Sequence, residues 1–309
     1  MAKTLAIINP TSGNGTGRKL APAIQAGLKD AGIAFEWAET QKRNHATEIA
    51  AKAKRDGFEL LIAVGGDGLV HEVVNGMLRA SNGAATGALA VLPIGNGNDF
   101  AKMLPLPPDW REGIRRISAG KTRWFDVGQV KGDKPAPGFE TNLHYFDNGL
   151  DIGFGALAAM HAQTLPPFMT RTVKYLGAIA KALINFYNPR MKIEMANHPP
   201  LDQASIMLAA SIGQCYGNAF WLTPTAQVDD GLFDVMVGDP MGRLEIISFV
   251  PRLMNKTHVG DPRLKFFQTT RLVIESPDPL AVEIDGEIPF VDAHHLEIEI
   301  LPKRLQVIA

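Results

Sequence analysis

The chain has 309 residues, 46% hydrophobic and 20% charged, with a net charge of −1. That length favours two domains over a single core, the composition is that of an ordinary globular protein, and the near-zero charge supplies no overall basic field for nucleic acid. Cys215 is the only cysteine, which excludes an intrachain disulfide and a cysteine metal site and reads as a small core residue.

The first half alternates strand and helix. Thr4–Ile8 is an apolar strand, followed by the glycine-rich Asn9-Pro10-Thr11-Ser12-Gly13-Asn14-Gly15-Thr16-Gly17. A helix over Arg18–Ala31 carries Leu20, Ile24 and Leu28 on one stripe. Ala34–Ala38 is a second strand, His45–Arg55 an alanine-rich helix, and Leu60–Val64 a buried third strand. Next comes Gly65-Gly66-Asp67-Gly68, then apolar residues at helical spacing from Leu69 to Leu78. Ala88–Leu92 is a fourth strand, ending in Leu92-Pro93-Ile94-Gly95-Asn96-Gly97-Asn98-Asp99-Phe100-Ala101. Arg111–Ala119 is a helix and Arg123–Val130 a strand. This alternation predicts a parallel sheet covered on both faces. Ligands of such sheets bind beyond the carboxyl ends of the strands, where all three glycine-rich loops fall.

After the polar stretch Lys131–Gly138 the texture changes to short β-like runs: Leu143–Phe146, Arg190–Met195, Ala204–Ser211, Leu232–Val237, Arg271–Glu275, Ala281–Ile284 and Leu296–Ile300. They predict an antiparallel, sandwich-like second domain interrupted by one helix, Arg171–Phe186. The fold class expected is therefore an α/β N-terminal domain with a parallel sheet, residues 1–127, plus a mainly antiparallel β-sandwich domain, residues 128–301.

Gly65–Gly68 carries the strongest chemical signal. Glycines between a strand end and a helix start let backbone N–H groups approach a phosphate. Asp67 in their midst opposes an anion unless a metal bridges carboxylate and phosphate, or the carboxylate takes a proton from an attacking hydroxyl. The Asn9–Gly17 loop, with Glu36 or Glu39 at the next strand, invites a dinucleotide reading, but its Gly-x-Gly-x-Gly spacing is not Gly-x-Gly-x-x-Gly; a lone glycine motif is weak evidence, and a plain βα turn is the competing reading. Asn98 and Asp99 also suit helix capping. Asp126 places a carboxylate in an apolar strand and needs a cation, donor or metal. Asp285-Gly286 also suits a hairpin turn. His71 reads as structural, and the eight histidines show no metal spacing.

The Gly65–Gly68 block resembles the Gly-Gly-Asp-Gly signature of the diacylglycerol kinase catalytic domain, shared by bacterial lipid kinases and by sphingosine and ceramide kinases. Leu69 stands where most bacterial members have Thr, and Gly68–Val73 looks closer to sphingosine kinases. Asn9-Pro10-x-Ser12-Gly13 is similar to the family's opening motif at the nucleotide site. Pro93–Ala101 resembles its Pro-x-Gly-Thr-x-Asn-Asp-Phe-Ala block, with Asn96 replacing Thr. The resemblance implies ATP contacts along Asn9, Pro10, Ser12, Gly13, Gly65, Gly66, Gly68, Gly95, Asn96 and Asn98. It implies essential carboxylates at Asp126 and, in Asp285-Gly286-Glu287, at Glu287. These would converge with Asp67 to hold Mg²⁺ against ATP and position a general base. It implies a structural Mg²⁺ at Asp229, Asp230 and the main-chain carbonyl of Leu232, where a metal-free turn is the competing reading. It also implies that the tail, residues 302–309, returns to the first domain.

The function expected is an ATP-dependent lipid kinase acting on diacylglycerol or a related lipid. The alternatives are an NAD kinase-like enzyme and a non-catalytic nucleotide- or lipid-binding regulator. The apolar run at Leu5–Ile8 is too short for a signal peptide, and no window approaches the about 18 apolar residues that span a bilayer. The expectation is a cytoplasmic protein in peripheral contact with the membrane that holds its lipid substrate, with self-association into a homodimer left open. Phe168, Met169, Leu176 and Ile179 would touch lipid while Arg171, Lys174 and Lys181 meet anionic head groups. The competing reading is an amphipathic helix packed on its own domain.

Overall fold

The computed structural model describes residues 2–104, 109–166, 171–217 and 219–309. The N-terminal half runs β1 (Thr4–Ile8), α1 (Ser12–Asp30), β2 (Glu36–Glu39), α2 (His45–Arg55), β3 (Leu60–Gly65), α3 (Asp67–Ala80), β4 (Thr86–Pro93), α4 (Asp99–Lys102), α5 (Trp110–Ala119) and β5 (Thr122–Gly132). The C-terminal half follows with β6 (Leu143–Phe146), β7 (Gly149–Gly153), α6 (Phe154–Gln163), α7 (Arg171–Asn185), β8 (Arg190–Met195), β9 (Leu201–Ala204), β10 (Met207–Ser211), β11 (Phe233–Gly238), α8 (Arg243–Met254), β12 (Leu264–Thr269), β13 (Arg271–Ile284) and β14 (Glu287–Ile308).

The apolar runs of β1 and β3 are buried along their whole length, as strands covered on both faces must be. They pair in parallel with β2 and β4 on either side. The C-terminal strands pair antiparallel, in the order β12-β11-β10-β7-β13-β14. The two halves share one sheet because β14 serves both. It pairs antiparallel with β13, and its last residues lie parallel to β4, with Leu305 opposite Thr86 and Val307 opposite Leu89. β5 runs antiparallel to β14 across the same junction, with a register shift between Leu301 and Leu305. The chain is thus an N-terminal α/β domain with parallel strands joined to a β-rich antiparallel domain.

Several expected elements change shape. Ala204–Ser211 divides into β9 and β10, while Arg271–Glu275 and Ala281–Ile284 are parts of the single bulged strand β13. The helices α6 and α8 have no counterpart in the sequence reading. α6 is rich in alanine and has apolar residues all round, so no amphipathic stripe marks it. Both helices pack on one face of the second domain, where Phe154, Ala158, Ile246, Phe249 and Leu253 meet Met207, Met236 and Leu264 in one apolar cluster. Ile179 of α7 is buried in that cluster, so it does not face outward to lipid as expected. Phe168 and Met169 lie outside the described residues, as do the side chains of Arg171, Lys174 and Leu176.

Candidate active site

The three glycine-rich loops meet above the carboxyl ends of β1, β3 and β4. In the first, Gly13, Asn14 and Gly15 adopt left-handed backbone angles that interrupt the first turns of α1. A Cβ on Gly13 would collide with the Ile94 carbonyl, and one on Gly95 with the Cα of Gly66. Only glycine lets the loops lie against each other this closely. Ser12, Gly13, Gly66, Gly68, Gly95 and Asn96 all line a cleft of about 640 Å³.

Asn9, Pro10, Gly65 and Asn98 stand behind the loops and are not among the cleft-lining residues. Asn9 Oδ1 accepts from the backbone and hydroxyl of Thr11, at 3.0 and 2.8 Å. Asn98 braces its own turn, accepting from Gly95 N and donating to Gly95 O, both at 3.0 Å. Gly65 is buried, with no room for a Cβ beside Leu69. Asn9 and Asn98 thus shape the loops through side-chain hydrogen bonds and Gly65 through close packing, while Pro10 O accepts from Arg18 N at 2.9 Å.

Asp67 begins α3 and is half-buried. Its Oδ1 accepts from Phe100 N at 3.1 Å, tying the second loop to the third. Burial, reinforced by Asp99, raises its carboxyl to about 6 against the backbone donors that favour the anion. Glu287 reaches the same cleft from the hairpin between β13 and β14 and pairs with Arg43.

Asp285 anchors that hairpin. Its Oδ1 accepts from Asn148 N (3.1 Å) and Gly149 N (2.9 Å). Its Oδ2 accepts from Asp147 N (2.9 Å) and from His71 Nδ1 (2.9 Å). Asn75, one turn further along α3, donates to Tyr145 O (2.9 Å) and accepts from Tyr145 N (3.1 Å). Asp67, His71 and Asn75 therefore form an i, i+4, i+8 stripe that binds the glycine loops to the second domain. The sequence singled out only the first of the three for a role at the site.

Two expected site groups lie elsewhere. Asp126 does not join Asp67 and Glu287: it is buried away from the cleft-lining residues, its Oδ2 accepting from Gly231 N (2.7 Å) and its Oδ1 from Lys303 N (2.8 Å). Those donors oppose a burial that raises its carboxyl. Its partner is the backbone of the Asp229–Leu232 loop and of the turn within β14. In the loop expected to hold a metal, the two aspartates have protein partners. Both oxygens of Asp229 are taken by the fork of Arg123, at 2.9 and 2.8 Å, which holds its carboxyl below the usual range. Asp230 Oδ1 accepts from Leu232 N at 3.0 Å, closing the turn.

Among the described residues, His71, Asp147 and Asp285 offer metal-ligating atoms within 4.8 Å of one another. Asp147, Asp151 and Glu283, which the sequence reading passed over, also line the cleft. Asp151 and Glu283 are directly opposed across β7 and β13. Burial raises Asp151 to about 7 and lifts Asp147 and Glu283 well above the carboxylate range. No signal in the sequence marks them, because only the strand register brings them together.

Beyond the carboxylates the cleft turns apolar, walled by Phe154, Met207, Phe220, Met236, Phe249 and Leu253. It thus runs from a phosphate-sized cradle of glycines, past a bank of acids, into a greasy pocket. No Lys or Arg belongs to its described lining. A polyphosphate facing these acids requires intervening cations, and their carboxylate oxygens suit hard divalent ions. Cys215 is buried and its thiol is pushed up to about 12, the state of an inert core residue.

Residues 3–130 match the diacylglycerol kinase catalytic domain, and residues 149–309 match the YegS C-terminal NAD kinase beta sandwich-like domain. The chain is 27% identical to a diacylglycerol kinase of Bacillus subtilis, over 93% of this chain and 90% of that one. It is 29% identical to one from Staphylococcus epidermidis, over 91% and 84%. A crystal structure of a diacylglycerol kinase from Bacillus anthracis superposes with a TM-score of 0.72 at 20% identity, covering 99% of this chain and 96% of the other. With both domains matched, and glycine loops, acids and apolar pocket in one cleft, the chain belongs to the diacylglycerol kinase-type family of ATP-using lipid kinases.

Proposed function

We propose that the protein transfers the γ-phosphoryl group of ATP to the hydroxyl of diacylglycerol or a closely similar lipid. The observation that carries this reading is the continuity of the cleft from the glycine loops to the apolar pocket. An acyl chain suits a wall of Phe, Met and Leu, which offers the polar second half of NAD nothing to bond with. The glycine loops support the phosphates through backbone N–H groups at the start of α3.

Asp67 and Asp99 suit Mg²⁺ at the phosphate end. When bound, the ion offsets the charge of the phosphates and of the transferring group. Glu287, on the hairpin facing the lipid side, takes the proton as the lipid oxygen bonds to the γ-phosphorus. The bond to the β-phosphate bridging oxygen breaks and ADP leaves. Asp285, with all its acceptor positions filled, positions that hairpin.

Membrane contact falls to α8. Its inner residues Ile246, Phe249, Val250 and Leu253 line the cleft, while Leu244 and Ile247 on its outer side are 83% and 51% exposed. No described helix is long and apolar enough to cross a membrane, so an apolar helix face beside the pocket gives a route from bilayer to site. Exposed Arg243, Lys181 and Lys256 favour anionic lipid.

The test is transfer from labelled ATP with Mg²⁺ to diacylglycerol, other lipid alcohols and NAD, the lipids presented in mixed micelles. Diacylglycerol or a related lipid should be labelled in preference to NAD. Preferential labelling of NAD, or no labelled lipid despite normal ATP binding, would overturn the reading.

A further inference from the structure

Glu287 leaves the chain at the end of a two-residue turn. Ile284 and Glu287 face each other across the β13–β14 hairpin. Asp285 and Gly286 between them take left-handed backbone angles, φ 48° and 92°, the turn that Asp-Gly favours. Four donors hold the Asp285 side chain. Gly286 has no side chain to hold, yet its backbone is gripped on both sides. Its N–H donates to Glu283 Oε1, and its carbonyl accepts from Gln163 Nε2 at 3.0 Å. That carbonyl belongs to the peptide unit leading into Glu287, so the direction in which the Glu287 side chain departs is set there.

Stability does not account for either grip. Glu283 is 7% exposed and directly opposes Asp151 across the two strands. Its Oε2 is buried without a hydrogen-bond partner, and burial with Asp151 beside it lifts its carboxyl well above the carboxylate range. A buried acid next to another acid lowers stability. Gly286 is exposed, so water can satisfy its N–H without Glu283. Gln163, the last residue of α6, is exposed too, and its amide gains nothing from burial. Both side chains nonetheless converge on one residue beside Glu287. We propose that Glu283 and Gln163 are positioning residues that lock the Gly286 backbone and so aim the Glu287 carboxylate at the acceptor hydroxyl. Ala158 and Ala162 of α6 line the apolar pocket with Gln163. The hairpin is thereby registered against the second-domain sheet through Glu283 and against the lipid wall through Gln163. The inference takes from the proposed function only the role of Glu287.

The experiment uses the full chain with ATP, Mg²⁺ and diacylglycerol in mixed micelles. Hydrogen exchange of the hairpin, without ATP or lipid, adds a readout that needs no turnover. Glu283→Met removes the acceptor and the buried acid together. Its kcat should fall at least about ten-fold, with KM for ATP within about two-fold of native, while its melting temperature is no lower than native. Glu283→Gln keeps an oxygen for the Gly286 N–H and should hold kcat within about three-fold. Gln163→Met keeps the side-chain length and loses the donor. Its kcat should fall about five-fold, with KM for ATP and for lipid within about two-fold and an unchanged melting temperature. In both methionine variants the amides of residues 284–288 should exchange several-fold faster, and those of α3 should not. A loss of kcat that follows a loss of melting temperature, a raised KM for lipid at unchanged kcat in Gln163→Met, or native-like hairpin exchange in the methionine variants would each overturn the proposal. A native chain that labels no lipid, with hairpin exchange still quickened in both variants, would overturn the proposed acceptor and leave the grip on Gly286 in place.

Discussion

His71 Nδ1 donates to Asp285 Oδ2 across 2.9 Å, with the side chains 8% and 3% exposed. The bond joins the helix that starts at the glycine loop to the hairpin that carries Glu287, and so fixes the distance between the two ends of the reaction. His71→Leu removes one of four donors from a buried carboxylate. It should cost about 1–3 kcal/mol of stability and lower kcat more than it raises KM for ATP. Urea unfolding and steady-state kinetics check this, and His71→Gln should restore part of both losses.

Asp67→Ala should leave the fold intact and lower phosphoryl transfer by about two orders of magnitude or more, the range for a lost metal ligand or catalytic acid–base group. Glu287→Gln should cost a similar factor. Circular dichroism and single-turnover assays separate loss of chemistry from loss of fold. Near-normal turnover in a folded variant would remove that residue from the mechanism.

Asp126 should behave differently from either. Asp126→Ala leaves the N–H groups of Gly231 and Lys303 without their acceptor, at about 1–3 kcal/mol each. Asp126→Asn keeps one carbonyl oxygen and should cost less. The expected result is a lowered unfolding midpoint with turnover per folded molecule within about ten-fold of native, well short of the loss expected for a missing metal ligand. A hundred-fold loss of turnover at unchanged stability would return Asp126 to the chemistry.

Asp151 gives a pH signature. Its folded value, about 7, lies above the ordinary 3.8, so the folded chain holds this proton where the unfolded chain has released it. Raising pH through the window from about 4 to about 7 therefore lowers stability, and the penalty is complete above 7. Asp151→Asn removes it while its amide oxygen can still accept from Ala156 N. The gain in melting temperature should be near zero at pH 4 and largest above pH 7.5. A gain independent of pH would show that the side chain acts through packing instead.

The outer face of α8 is tested by Leu244→Asp with Ile247→Asp. Both side chains are exposed, so stability should change by less than about 0.5 kcal/mol. Transfer to lipid in anionic vesicles should fall several-fold, while transfer to a short-chain lipid dispersed as monomers should be unchanged. Equal losses in both assays would argue against a membrane-contact role.

The sequence by itself determined the parallel half and its glycine loops. Short unbroken apolar runs such as Leu60–Val64, bounded by glycine and alternating with helical patterns, read as strands covered on both faces, and Gly13, Gly66 and Gly95 mark where backbone approaches backbone. It also pointed to Asp67, because a carboxylate in a glycine turn gains nothing from packing, whereas Glu287 was marked only by the family resemblance of Asp285-Gly286-Glu287. Only the tertiary structure decided which acids meet. Asp126 stands in an apolar strand, as expected, but the crossing of β5 and β14 turns it onto Gly231 and Lys303. Asp151 and Glu283 become neighbours through antiparallel register, and Asp147 and Asn148 enter the cleft through a turn fixed by Asp285. The apolar pocket likewise depends on α6 and α8, whose residues show their inner face only once they are packed against β10 and β11. Strand periodicity is local and legible along the chain. Convergence of side chains from segments over a hundred residues apart is a property of long-range pairing, which no local pattern encodes.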